Sequence, residues 1–210
     1  MPGIFITLEG IEGSGKSTQA KLLKDFLVGI GFTVVLTREP GGSPIGEKVR
    51  DILLDRSNRE MEPMTELLLY EASRFQHVAE VIRPALEQGK VVICDRFFDA
   101  STAYQGYGRG IEIDTVNKLN LIATKGLKAD LTIVLDLPVR EGLRRIGGQP
   151  DRIEGEEAEF HERVRQGYLK IAESEPERVK VVDASGTIEE TFASVRSIVD
   201  RFLSLRKARS

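Results

Sequence analysis

The stretch "LEGIEGSGKST", Leu8 to Thr18, places three glycines ahead of one lysine and two hydroxyl side chains. Gly10 to Ser17 match the pattern G-x-x-x-x-G-K-[ST]. An apolar run, residues 3–9, precedes the pattern, and an amphipathic segment follows it. A strand, a glycine loop and a helix in this order predict a phosphate-binding loop (P-loop).

Each residue type of the loop has a physical role in binding phosphate. Glycines let backbone N–H groups converge on phosphate oxygens without Cβ clashes. A helix that begins near Lys16 directs its positive dipole end at the anion. Lys16 should neutralise β- and γ-phosphate charge, and the Ser17 hydroxyl should join the shell of a Mg²⁺ ion. The predicted ATP-binding residues are Gly10, Ile11, Glu12, Gly13, Ser14, Gly15, Lys16, Ser17 and Thr18.

Short apolar runs alternate with helical patterns along the chain. Five runs read as buried strands: 3–9, 33–38, 90–95, 131–136 and 178–184. One long helix is marked by Leu68, Ala72, Phe75, Ala79, Ile82 and Leu86. Alternating strands and helices imply right-handed βαβ units. The pattern therefore predicts one three-layer α/β domain over residues 1–210, with a five-stranded parallel sheet covered by helices on both faces.

Composition restricts the possible functions. The chain has 210 residues and a formal net charge of −3, so it lacks the basic footprint of a general nucleic-acid binder. Its only cysteine, Cys94, cannot form an internal disulfide, which fits a reducing cytosol. No apolar stretch near the start is long enough for a signal peptide or a membrane span. We therefore expect a soluble, cytoplasmic protein with neither nucleic acid nor membrane as partner.

Acidic side chains around the loop narrow the class of P-loop protein. "NKLN", residues 117–120, lacks the acid of a guanine reader and lies within a helical pattern, which argues against a GTPase. The third predicted strand ends in Asp95-Arg96, where Asp95 can hold Mg²⁺ through water and Arg96 can bind an acceptor phosphate. Glu12 beside bound phosphates suggests contact with a sugar hydroxyl, and Glu9 contact with water or metal. These residues favour phosphoryl transfer to a small molecule.

Further motifs resemble the thymidylate kinase family of the bacterial type. They are "EGIEGSGKST" (9–18), "TREPGG" (37–42), "EASR" (71–74), "CDRFFDASTAYQGYGRG" (94–110) and "PDRIE" (150–154). The resemblance implies the P-loop nucleoside-monophosphate-kinase fold and a homodimer. It also implies ATP and dTMP as substrates, dTDP as product, and Mg²⁺ as cofactor.

The resemblance also assigns an acceptor site. It implies stacking of thymine on Tyr70, contact of Arg74 and Gln105 with the base edge, and exclusion of a 2′-hydroxyl by Tyr104. Arg96 and Arg50 should hold the acceptor phosphate. The full implied set is Glu12, Glu39, Arg50, Tyr70, Arg74, Arg96, Ser101, Tyr104 and Gln105.

A charged segment, residues 144–157, is expected to be a mobile flap, the LID. Some members of the family carry an arginine within the P-loop, where this chain has Gly13. The missing charge should come from the flap, and we expect Arg152, or one of its neighbours, to act on the transferring group. Arg144 is a candidate for contact with adenine. The predicted catalytic residues are thus Lys16, Asp95, Arg96 and Arg152.

Two other features of the sequence leave alternatives open. The segment 183–190 is a candidate border of the adenine site, and Thr187 with Glu190 also predicts a capping box at a helix start. The alternative functions are a P-loop kinase of another small molecule, a regulatory nucleotide switch and a member of the family that has lost activity. Assays across monophosphate acceptors separate them.

Overall fold

The five predicted strands form one parallel sheet in the computed structural model, which describes residues 3–147 and 149–208. They are β1 (Ile4–Glu9), β2 (Val34–Arg38), β3 (Val91–Asp95), β4 (Leu131–Asp136) and β5 (Val179–Asp183). Their order across the sheet is β2-β3-β1-β4-β5. Each run of the sequence that was predicted as a strand is confirmed to within one residue at either end.

The order of the strands places the P-loop beside the end of β3. β1 pairs with β3 on one side and with β4 on the other, and Leu8 lies opposite Asp95 in the register. The chain segments that follow β1 and β3 therefore leave the same edge of the sheet side by side. Ligands of open parallel sheets bind at such an edge, where the strand order reverses.

Helices cover both faces of the sheet. They are α1 (Lys16–Gly29), α2 (Pro44–Leu54), α3 (Pro63–His77), α4 (Arg83–Glu87), α5 (Phe98–Ser101), α6 (Ile113–Thr124), α7 (Val139–Arg145), α8 (Ala158–Ser174) and α9 (Ile188–Ala208). A π-helical turn, Val78–Ile82, joins α3 to α4, and a second, Thr102–Gly108, follows α5. No helix of the described residues is both long and apolar enough to cross a membrane.

The side chains of β1 alternate between the two layers of helices. Ile4, Ile6 and Leu8 belong to one buried cluster, which also holds Leu23 of α1 and Val199 of α9. Phe5 belongs to a cluster on the opposite face, with side chains of the α3–α4 connection and of β3. This alternation produces the three-layer α/β arrangement that the sequence predicts.

The long helix buries a different face from the one that its apolar spacing suggests. Leu68 and Phe75 of α3 are 50% and 40% exposed, whereas Glu66 and Arg74 are almost fully buried. The buried face is polar because it forms part of a site, so hydrophobic periodicity selects the wrong side. Met64 is a further exposed apolar side chain of α3. The helices α2 and α6, which pack against α3, also carry exposed apolar side chains: Ile45, Ile52, Leu121 and Ile122.

Candidate active site

The P-loop turns sharply because its glycines adopt backbone angles that other residues avoid. Gly10, Gly13 and Gly15 have φ values of 138°, 73° and 89°. A Cβ on Gly10 would lie 2.5 Å from the carbonyl oxygen of Leu135, so the loop also needs glycine there for close packing. α1 then begins at Lys16, as the motif predicts, with its N-terminus at the loop.

Lys16, Ser17 and Asp95 meet at the mouth of this loop. The Lys16 ammonium donates to the Ile11 carbonyl oxygen at 2.7 Å and to the Ser14 hydroxyl at 3.3 Å. Burial, together with the charge of Arg96, lowers the pKa of Lys16 to about 8. The Ser17 hydroxyl donates to the Asp95 carboxylate. A hydroxyl and a carboxylate in contact form an oxygen donor set that suits Mg²⁺.

Arg96 reaches across the sheet edge from the end of β3 to the P-loop. Its φ is 73°, a strained value for a residue with a side chain, and such strain is concentrated at functional sites. Its guanidinium donates to the Gly10 carbonyl oxygen at 3.0 Å and to the Glu12 carboxylate at 2.8 Å. It also lies over the Tyr104 ring, 4.8 Å from the centroid.

Glu12 is held as a carboxylate by several donors. The Tyr104 hydroxyl lies 2.7 Å from each of its oxygens, and the His161 Nδ1 lies 3.4 Å from one of them. Burial alone would raise the pKa of Glu12, but the charges of Arg96 and Lys16 and the contacts with His161 and Tyr104 lower it. Both ring nitrogens of the buried His161 lack a hydrogen-bond partner within normal distance.

Glu9 lies behind Arg96, at the end of β1, and is fully buried. Its oxygens accept hydrogen bonds from the Phe97 backbone N–H at 2.7 Å and the Tyr168 hydroxyl at 2.8 Å. Burial, reinforced by the negative charge of Asp99, raises the pKa of Glu9 to about 8. Both oxygens of Glu9 thus already have a hydrogen-bond donor, and its contact with a metal or water stays a prediction.

A cavity of about 260 Å³ extends from the P-loop along the ends of β1 and β3. The structure places eight of the nine implied acceptor-site residues in its wall: Glu12, Glu39, Arg50, Tyr70, Arg96, Ser101, Tyr104 and Gln105. Gly13, Lys16 and Ser17 of the P-loop also line it. The donor and acceptor sets predicted from separate motifs therefore share one cavity.

Arg74, the ninth residue, lies beneath the cavity and not in its wall. Its side chain is 1% exposed and pairs with Glu39 at 2.7 Å and with Glu71 at 2.5 Å. It also donates to the Ser101 hydroxyl at 2.9 Å. Its predicted direct contact with the base therefore requires a rearrangement, and in this structure Arg74 supports Ser101.

The flap packs against α2 and α3 through Arg152. The Arg152 side chain donates to Glu66 at 2.6 Å and to the Leu53 carbonyl oxygen at 2.8 Å, and its backbone N–H donates to the Leu54 carbonyl oxygen at 3.3 Å. Its neighbour Ile153 is buried against α8 and the segment after α5. Arg152 thus contacts the end of α2 and not the P-loop, while Gly148 of the predicted flap lies outside the described residues.

The other two flap arginines differ in their contacts. Arg145 donates to the Ala184 carbonyl oxygen at 3.0 Å, which ties the start of the flap to the segment that follows β5. Arg144 is exposed at the end of α7. Thr187 and Glu190 form the predicted capping box at the start of α9, with reciprocal bonds of 2.9 and 3.1 Å.

Sequence reasoning missed four side chains that hold this site together: His161, Tyr168, Glu66 and Arg109. His161 and Tyr168 are seven residues apart on α8, so they share a helical face. Polar groups on a helical face that is otherwise apolar need buried hydrogen-bond partners. The position of these two side chains on such a face could therefore have predicted that they take part in a buried site. Glu66 gives no comparable signal, because its partners come from distant parts of the chain.

The P-loop lies at the edge of a parallel sheet and opens into a cavity lined by arginines and by groups suited to a nucleoside. These features define a P-loop nucleotide kinase. The family model described as "Thymidylate kinase" matches residues 8–195 of this chain. The chain therefore belongs to the thymidylate kinase family.

Similar proteins cover nearly the whole chain. A thymidylate kinase of Geotalea uraniireducens is 53% identical over 205 residues, which cover 94% of this chain and 96% of that protein. One of Syntrophotalea carbinolica is 54% identical over 194 residues, covering 89% and 90% of the two chains. The crystal structure of thymidylate kinase from Ehrlichia chaffeensis is similar with a TM-score of 0.79 and 36% identity, and covers 95% of this chain and 99% of that one.

Proposed function

We propose that this protein transfers the γ-phosphoryl group of ATP to dTMP, forming dTDP and ADP. The observation that carries the proposal is the single cavity whose wall holds both Lys16 of the P-loop and the acceptor residues Tyr70, Arg96 and Gln105. The acceptor phosphate oxygen attacks the γ-phosphorus, and the bond to the ADP oxygen breaks. The attacking oxygen is already ionised, so positioning and charge neutralisation supply the catalysis.

The residues of the cavity divide this work. Lys16 neutralises the donor phosphates, and Arg96 with Arg50 holds the acceptor phosphate. Glu12 accepts a hydrogen bond from the deoxyribose hydroxyl, since Arg96 and Tyr104 keep it ionised and fixed in position. The Tyr104 ring fills the space next to the sugar, and Tyr70 offers a face for stacking the base, worth about 1–3 kcal/mol.

Mg²⁺ fits the donor set of Ser17 and Asp95, which are already in contact through a hydrogen bond. When bound, the ion neutralises phosphate charge and orients the donor. We keep Ser17 and Asp95 as the proposed ligands and leave out Glu9, whose oxygens have other partners.

A flap arginine completes the charge at the transferring group in our proposal. Arg152 remains the first candidate, because it belongs to the "PDRIE" motif and its neighbours Asp151, Ile153 and Glu154 line the cavity. To reach the phosphates it must leave Glu66 and Leu53. Arg144, which is exposed at the end of α7, is the second candidate.

A homodimer accounts for the exposed apolar surface of α2, α3 and α6. Ile45, Leu68, Phe75, Leu121 and Ile122 are between 40% and 64% exposed. A second copy of the chain would bury this surface in a self-complementary contact. The reaction uses only soluble substrates, which fits a cytoplasmic enzyme with neither nucleic acid nor a membrane as partner.

A coupled assay of ADP formation tests the proposed function. The protein is incubated with ATP, Mg²⁺ and, in turn, dTMP, dUMP, dCMP and AMP, with Lys16→Ala as the inactive control. We expect dTMP to be the preferred acceptor, with one ADP formed for each dTDP. Preference for another acceptor would replace dTMP in the proposal, and nucleotide binding without ADP formation would favour a regulatory switch.

A further inference from the structure

Glu66 connects the predicted base-reading residue to the rest of the protein. It lies on the buried face of α3 and is fully buried. The Gln105 side-chain nitrogen donates to it at 2.8 Å, and Arg109 donates two bonds of 3.1 and 2.9 Å. Arg152 supplies a further bond. Gln105 and Arg109 belong to the segment that follows α5, whereas Arg152 belongs to the flap.

The surroundings of Glu66 keep it ionised. Burial would raise its pKa, but hydrogen bonds and charge from Arg109, with contributions from Gln105 and Arg152, lower it. An ionised carboxylate only accepts hydrogen bonds. The Gln105 amide must therefore turn its NH₂ group towards Glu66, because the opposite orientation would place oxygen against oxygen.

The orientation of this amide decides what Gln105 offers to a ligand. Gln105 lines the cavity together with Tyr70 and Ser101. With its nitrogen held by Glu66, its carbonyl oxygen is left as the group available on the other side. Among the described residues none donates a hydrogen bond to that oxygen. The cavity thus contains a fixed acceptor beside the place where the base stacks.

We propose that Glu66 is a positioning residue for base selection, which fixes the Gln105 carbonyl oxygen as an acceptor for the N3–H of a 2,4-dioxopyrimidine. A 4-aminopyrimidine has an unprotonated N3, so two acceptors would face each other and the Gln105 oxygen would stay unpaired. The inference rests on the proposed function and assigns a source of its selectivity. It adds a residue of α3 that does not itself line the cavity.

Two nucleotides isolate this effect. dTMP and 5-methyl-dCMP share the phosphate, the sugar and the 5-methyl group, and they differ at position 4 and in the proton on N3. The ratio of their kcat/KM values therefore measures how strongly the protein discriminates between bases at N3 and position 4. A variant can also affect the flap, Arg152 or phosphate binding. Such effects change the kcat/KM values of both nucleotides by a common factor, so they cancel in the ratio.

Glu66→Gln tests the proposal directly. The new side chain keeps the size of glutamate but offers both a donor and an acceptor, so Gln105 is free to turn either way. We expect the dTMP to 5-methyl-dCMP ratio to fall by about tenfold or more, mainly through KM for dTMP. A common loss for both nucleotides with an unchanged ratio would mean that Glu66 only supports the structure, and would overturn the proposal.

Gln105→Leu provides a test that does not depend on the folding of Glu66→Gln. It should lower the ratio to a similar extent, and adding Glu66→Gln to it should change the ratio no further. An unchanged ratio in Gln105→Leu would also overturn the proposal. Arg109→Lys is the matched control, because it alters another partner of Glu66 and should keep the ratio. Wild-type protein that phosphorylates neither nucleotide would instead overturn the proposed function itself.

Discussion

Gly13 of the P-loop and Gly142 of α7 pack backbone against backbone. A Cβ on Gly13 would lie 2.2 Å from the Gly142 carbonyl oxygen, and a Cβ on Gly142 would lie 2.5 Å from the Glu12 carbonyl oxygen. An arginine at position 13, as in some members of the family, therefore has no room unless α7 moves. The same contact links the P-loop to the helix from which the flap begins.

Gly13→Ala should weaken both the fold and ATP binding. The new Cβ meets a backbone atom, and the φ of 73° at this position is strained for alanine. We expect a loss of about 1–3 kcal/mol in the free energy of unfolding and a raised KM for ATP. Urea unfolding and steady-state kinetics measure the two effects.

Gly29→Ala, in the last turn of α1, is the control for this substitution. Its Cβ would have open space, so it should be neutral or slightly stabilising. Equal stability of the Gly13 and Gly29 variants would show that the contact with Gly142 is not tight.

Arg152→Ala should lower kcat by about 10³-fold and leave KM for dTMP nearly unchanged. The expected cause is loss of positive charge at the transferring phosphoryl group. Arg56→Ala is a suitable comparison, because Arg56 is an exposed arginine that contacts the flap at Gln149. Normal kcat with weakened dTMP binding in Arg152→Ala would remove the arginine from the proposed mechanism.

Glu9→Gln should remove a pH dependence of stability. The pKa of Glu9 is about 8 in the folded protein against 4.5 ordinarily, so unfolding releases a proton between these pH values. The free energy of unfolding should then fall as pH rises through this window, by up to about 1.4 kcal/mol per pH unit. Glutamine does not titrate and can still accept from the Phe97 N–H.

Urea unfolding at pH 5, 6.5 and 8 compares Glu9→Gln with the wild type. The stability of the variant relative to the wild type should increase steadily with pH. Glu60→Gln, at an exposed position, should show no such trend. A variant with the same pH profile as the wild type would mean that Glu9 is already ionised in the folded protein.

Leu68→Asp should convert the proposed dimer into a monomer. Leu68 of α3 is 50% exposed, and a carboxylate there cannot be buried against a second copy without large cost. Light scattering during size-exclusion chromatography gives the mass. Leu205→Asp on α9, at 54% exposure, is the control on the opposite face of the sheet. A wild-type mass of about 23.3 kDa would contradict the dimer.

The sequence predicted the strands, the P-loop and most of the cavity, because these depend on local patterns. Apolar runs of fixed length specify buried strands, and the spacing of Gly10, Gly15 and Lys16 specifies the loop. The prediction of which face of α3 is buried was wrong, because polar residues of the binding site take the place of hydrophobic residues on its buried side. The roles of Glu66 and His161 depend on partners far away in the chain, which no local pattern encodes.

The contacts of Arg152 with the carbonyl oxygens of Leu53 and Leu54 have a consequence for the dynamics of α2. Carbonyls at the last turn of a helix have no partner within it, so the flap serves as the cap of α2. When ATP draws the flap away, the last turn of α2 loses this cap and should fray. Arg50 lies in the same helix, one turn before its end, but it also donates to the Pro40 carbonyl oxygen at 3.0 Å, so its place in the acceptor site should outlast the departure of the flap.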